Sequence, residues 1–234
     1  MIPIDSYFCL IALFQASQSN PALTVRNMQT ILTNEPILID DIRLALEDQL
    51  RSNIPNRNEK YYHILLSAWD QLSSESCRTE ITADAIIKSC AIARPTWYAY
   101  FKSVQEYYED VIEVLGHVIV EYAIDHLQQN ITYDNWTLFD RKMRLLVFLS
   151  NTKTLAAYFP GLHLQWLDIY QMTVEGYAGV MCPILKLSPA RAQLLVKNIV
   201  NEMIIHKEKY FNDIHSLDKF IKREYVLFLT EQNS

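Results

Sequence analysis

Apolar residues recur at helical spacing along most of the chain. Between residues 59 and 73 the residues Tyr62, Leu65, Leu66, Trp69 and Leu72 form a one-sided stripe, the mark of an amphipathic helix. Upstream, the pattern predicts short helices over about 5–18, 24–33 and 37–51. Thr24 is placed to cap the second, and Pro36 to open the third, since a first-turn proline gives up an N–H that has no intrahelical partner anyway. Residues 52–58 are polar, contain Pro55 and read as a linker. Two short helices follow, at 82–89 and 93–100, with a tight turn at 90–92. Ser103 and Glu106 then have the spacing of a capping box, which satisfies two N–H groups at a helix start. The helix they open is predicted to reach about residue 128. Further helices are expected at 134–158, 161–180, 189–211 and 217–231, with Ser188-Pro189 and Ser216 at the starts of the last two.

This pattern is all-α. It divides into a helical amino-terminal extension (1–58), a three-helix unit (59–102) and a larger helical region (103–234). Only 4 of the 234 residues are glycine, too few for the many turns of a sandwich or barrel. The four cysteines, Cys9, Cys77, Cys90 and Cys182, form no CxxC pair and no Cys/His cluster with metal spacing, so they read as reduced thiols and no metal is expected. Neither a glycine-rich phosphate loop nor a nucleophile elbow occurs, so no catalytic residue, no cofactor and no enzymatic activity is expected. The apolar run at 7–14 follows Asp5 and no basic residue, which is unlike a secretory signal. No apolar stretch reaches 18 residues. A cytoplasmic protein without a membrane partner is the reading.

The chemistry concentrates between Thr82 and Phe101. Two short helices joined by a tight turn share one small core, to which Ile86, Cys90, Ile92 and Trp97 contribute, with Tyr100 and Phe101 leading into the next helix. Such a pair cannot bury its face alone, so the helix at 59–73 must pack on it. Three helices so arranged make a helix-turn-helix unit.

Thr82, Ala91, the run Thr96-Trp97-Tyr98-Ala99-Tyr100-Phe101 and the following Ser103 resemble the amino-terminal DNA-binding domain of TetR-family transcriptional regulators, over about 55 residues. The resemblance implies a helix-turn-helix domain followed by a helical effector-binding and dimerisation domain. It implies double-stranded DNA as partner, read by a homodimer acting as a repressor. By the same resemblance Thr82, Arg94, Pro95, Thr96, Tyr98 and Lys102 are the DNA-binding residues: Arg94 and Thr96 face bases, whereas Thr82, Tyr98 and Lys102 meet phosphates. The sequence departs from the family at three places. Ala91 stands where glycine is usual, so a differently built turn is expected. Ala93 replaces a capping serine, and Pro95 lacks an N–H.

Charge complicates this picture. The chain carries a formal charge of −6, and residues 59–113 hold five basic against nine acidic side chains. Phosphate contacts need Lys and Arg. The expectation is therefore weak non-specific DNA binding, with an alternative reading alongside: an interaction protein or co-regulator that keeps the fold with little generic DNA affinity.

Two further expectations concern the carboxy-terminal region. Trp136, Phe139, Met143, His163, Trp166, Tyr170 and Tyr177 form an aromatic-rich set. In the family this region holds a small apolar or aromatic effector; the plain alternative is ordinary core. Helices 189–211 and 217–231 are apolar on more than one face, as Leu195, Ile199 and Met203 beside Val196, Val200 and Ile204 show. One face suits the core and the other a second subunit in a four-helix bundle. The role of residues 1–58 stays open among covering the regulatory region, contacting DNA and binding a partner.

Overall fold

A computed structural model describes residues 39–74, 82–129, 137–185 and 187–207, and residue 223. Every regular element among them is helical: α1 (Ile39–Asn53), α2 (Glu59–Leu72), α3 (Ala83–Ser89), α4 (Arg94–Tyr100), α5 (Val104–Asp110), α6 (Gly116–Gln129), α7 (Thr137–Tyr158), α8 (His163–Leu185) and α9 (Pro189–Ile205). A π-helical turn, Val111–Leu115, joins α5 to α6. None of these helices is long and apolar enough to cross a membrane. The expected helices at 5–18, 24–33 and 217–231 lie outside the described residues.

The chain divides into two compact units. One comprises Leu38–Tyr122 and Arg144–Met172, and the other includes Ala123–Met143 and the chain from Thr173 onward. The first unit contains the helix-turn-helix candidate. Its α1 buries Ile42, Leu46 and Leu50, one residue every four, so that face packs inward. The stretch expected as a linker is shorter than the polar composition suggested. Helix α1 continues to Asn53, and residues 54–58 alone turn the corner into α2. That corner is tied at several points. The Tyr62 hydroxyl donates to the Ile54 carbonyl at 2.7 Å. Asn58 caps α2, its Oδ1 accepting from the Tyr61 N–H at 3.1 Å. Arg51 pairs with Glu59 and, at 2.5 Å, with Glu47, and the hydrogen bond from Arg51 holds the Glu59 carboxyl below its ordinary pKa. Helix α2 is buried along most of its circumference, from Tyr61 to Leu72, as a central helix of a small all-α unit must be.

The capping box forms at the start of α5. Ser103 Oγ accepts from the Glu106 N–H at 3.1 Å, and Glu106 Oε2 accepts from the Lys102 N–H at 2.7 Å, one residue before the usual partner. Beyond the π turn, His117 has both ring nitrogens directed at acceptors, the Glu113 carbonyl and, at 2.8 Å, Asp168 of α8. Desolvation opposes its protonation, yet these hydrogen bonds and the charges of Asp168 and Glu121 outweigh it and raise the His117 pKa above 6.5. A pKa raised by folding means stabilisation that is complete below the unfolded value and lost as pH rises through the folded one. We expect urea stability to decline as pH rises past about 6.5 and through the raised folded value, by less than about 1 kcal/mol because the pair is partly solvated. In His117→Gln this component of the decline should vanish; identical pH profiles for the two proteins would disprove it.

In the second unit, α9 buries Ala192, Leu195, Val196, Ile199, Val200, Met203 and Ile204. Both apolar rows are thus covered within the chain itself, including the row expected to face a second subunit. The large apolar side chains exposed on α9 are Leu194 and Ile205. Ser188 stands at the cap position but its side chain makes no capping hydrogen bond.

Candidate nucleic-acid interface

Helices α3 and α4 are each 7 residues long, too short to persist alone, so their ends and shared core must hold them. Thr82 caps α3: its Oγ1 accepts from the Ala85 N–H at 3.3 Å. At the other end the Ala91 N–H donates to the Lys88 carbonyl and the Ile92 N–H to the Ile87 carbonyl, each at 3.2 Å. This pairing is a Schellman motif with Ala91 at its left-handed position, and Ala91 indeed has φ 52°. The turn is therefore built in the ordinary way despite lacking glycine, and Ala91 bears the steric strain. Relieving it predicts that Ala91→Gly stabilises the protein by about 1 kcal/mol, seen as a higher urea midpoint with unchanged slope. A lower midpoint would show that the turn does not need the left-handed conformation.

Helix α4 opens at Ala93, which offers no side-chain cap, with Pro95 in the first turn. Its inward face carries Trp97 and leads to Phe101, both fully buried. The Trp97 ring lies 5.0 Å from that of Phe101 and 4.9 Å from that of Tyr107. The Tyr100 hydroxyl meets Asn58 Oδ1 at 2.5 Å, which ties the end of α4 to the cap of α2.

With Trp97 inward, the other side chains of α4 divide between two outward faces. Arg94 and Tyr98, one turn apart, share one face and are 62% and 52% exposed. Pro95, Thr96, Ala99 and Tyr100 line a shallow depression with Asn58, Glu59 and Lys60 from the start of α2. Lys102 is exposed just beyond α4. Thr82, Arg94, Pro95, Tyr98 and Lys102 are thus exposed, and Thr96 is half-buried. The sequence reading missed Lys60, whose position beside Thr96 follows from packing across 36 residues and leaves no local trace. It also missed an ion pair within the unit. Arg94 forms an ion pair with Asp84 of α3.

Four residues of the aromatic set expected to hold an effector, His163, Trp166, Tyr170 and Tyr177, lie along α8. In the first unit His163, Trp166 and Tyr170 stack along one face of α8, with centroids 6.5 Å and 5.2 Å apart. Trp166 is buried, and its indole N–H donates to the Leu149 carbonyl at 2.9 Å, an ordinary core arrangement. Tyr177 belongs to the second unit and is buried there. Phe139 and Met143 are placed on α7 by their backbone alone, and Trp136 lies outside the described residues. Among the described residues, no group of three or more His, Cys, Asp or Glu side chains is placed to hold a metal ion.

No protein-family model matches this chain, and no significant match to it was found among curated proteins or solved structures.

Proposed function

We propose that residues 59–102 are a helix-turn-helix unit that reads double-stranded DNA, in a transcriptional repressor of the TetR type that acts as a homodimer. The observation that carries this reading is the division of α4. Its Trp97 side is sealed into the core, while Arg94 and Tyr98 stand exposed on a short helix anchored by that side and following a tight turn. A recognition helix needs that combination, because base-reading side chains must project from a backbone that does not move. Thr82, Lys102 and the added Lys60 flank it as phosphate contacts, and Thr96 and Pro95 sit at its first turn. A small apolar or aromatic effector is the proposed release signal, with His163, Trp166, Tyr170 and Tyr177 along α8 as candidate contacts beside their part in the core. Homodimerisation is proposed through helices about 189–211 and 217–231; since both rows of α9 are already covered, Leu194 and Ile205 are its candidate contacts on α9.

A selection of bound sequences from genomic fragments tests the proposal. Enrichment of an inverted repeat supports it, and recovery of unselected DNA or none refutes it. Loss of Arg94 as alanine should weaken binding to the selected site by about 1–3 kcal/mol and relax one base position. Equal affinity with unchanged preference would remove Arg94 from the base-reading set.

A second reading has its own observation. The acidic surroundings and the Arg94–Asp84 pair favour a helix-turn-helix fold used for protein interaction, with little generic DNA affinity. Titration against random DNA at several salt concentrations separates the two, since a DNA-reading protein must show a measurable salt slope.

A further inference from the structure

Between residues 82 and 101 the charged side chains are Asp84, Lys88 and Arg94 alone. The proposed reading helices therefore carry two cations, and one of them is already held by a carboxylate of the same unit. Asp84 sits in the first turn of α3 and Arg94 in the first turn of α4. The Schellman turn brings these two helix starts together across ten residues. The side chains are 69% and 62% exposed, so the pair lies on the surface that DNA would approach. A guanidinium presents the same fork of N–H groups to a carboxylate, a phosphate or the acceptor edge of guanine. Arg94 cannot give that fork to Asp84 and to DNA at the same time.

We propose that Asp84 is an internal competitor for Arg94, a stand-in for the nucleic-acid acceptor that masks the reading cation and holds DNA affinity down until a site good enough to displace it is met. This inference rests on the DNA-reading proposal and specifies how that site is regulated. An exposed pair is worth little, so the mask is partial: apparent affinity falls by the fraction of molecules in which Arg94 is engaged. The pair also positions Arg94. Its side chain is kept near the surface in one place, and exchanging one acceptor for another needs only a small movement. In a protein with a formal charge of −6 that reads DNA through few cations, such a device lowers affinity for every DNA that engages Arg94, and random DNA, which supplies only a phosphate where a cognate site supplies a fitted acceptor, remains the weaker of the two.

Masking differs from simple repulsion of DNA by Asp84, because masking acts only through Arg94. Full-length wild type, Asp84→Asn, Arg94→Ala and the double variant are compared by fluorescence anisotropy on the selected site and on random DNA at several salt concentrations. Thermal unfolding confirms that each is folded. In the wild-type background Asp84→Asn should tighten random-DNA binding on the order of threefold to fivefold and steepen the salt slope by close to one phosphate contact. In the Arg94→Ala background the same change should have less than about half that effect. Equal tightening in both backgrounds reduces Asp84 to a repelling charge and overturns the proposal, as does no tightening at all. If none of the four proteins binds any DNA, the DNA-reading proposal fails and this one with it, an outcome distinct from binding that ignores Asp84.

Discussion

Replacing Trp97 by alanine is expected to remove about 3–5 kcal/mol of stability, the cost of emptying an aromatic-sized space in a packed core. Trp97 is completely buried, and its neighbours Phe101 and Tyr107 are themselves buried large rings. It is also the inward anchor of a 7-residue helix that has no side-chain cap at Ala93. Without the indole, α4 has little to hold it, so its residues should lose order before the rest of the unit does. The indole Nε1 has no hydrogen-bond partner among the described residues, and an unsatisfied buried donor is itself costly. Phenylalanine removes that donor while keeping a ring, so Trp97→Phe should cost far less than alanine, about 1 kcal/mol. Urea unfolding followed by circular dichroism measures both. If the two replacements cost the same, the loss does not come from the emptied volume, and Trp97 is not the anchor.

The features that could be read from the sequence are local ones. A cap needs only a hydroxyl at one position and an N–H three residues on, so the Ser103 cap was legible, and it forms; Thr82, read as a phosphate contact, caps α3 in the same way. Trp97 was legible as core because Phe101 repeats its position one turn later. The Schellman turn was legible in place and not in conformation: an alanine at position 91 suggests avoidance of positive φ, and the tertiary packing of Ile86, Cys90 and Trp97 overrides that preference. Non-local contacts were not legible. The Arg94–Asp84 pair spans ten residues and the Lys60–Thr96 proximity thirty-six. Periodicity shows which residues share a face of a helix but not what that face meets. Both rows of α9 accordingly read as one core face and one interface, and the structure buries both. Composition grouped His163, Trp166, Tyr170 and Tyr177; in the structure the first three stack along α8, on which Tyr177 also lies.

A second large effect is expected at Asn151, a residue of α7 with no obvious role in the sequence. The side chain is 3% exposed. Its Nδ2 donates to the Leu72 carbonyl at 2.8 Å and to the Ser74 carbonyl at 3.2 Å. The last carbonyls of a helix have no intrahelical donor, and the end of α2 is buried, so water cannot readily replace the missing partner. Asn151 is thus a cap delivered from 77 and 79 residues away. It secures the carboxy-terminal end of the helix on which α3 and α4 are proposed to rest. Asn151→Leu keeps a side chain of similar size and removes both donors. It should cost about 2–3 kcal/mol, because the buried Leu72 carbonyl loses its side-chain donor and stays desolvated. Asn151→Ala adds a small cavity to the same loss and should be at least as severe. The comparison separates the two causes. If leucine retains wild-type stability while alanine does not, Asn151 matters as volume and the capping account is wrong. If both fail alike, and amide exchange accelerates in the last turn of α2, the hydrogen bonds carry the effect, and α7 governs how firmly the proposed DNA-reading unit is held.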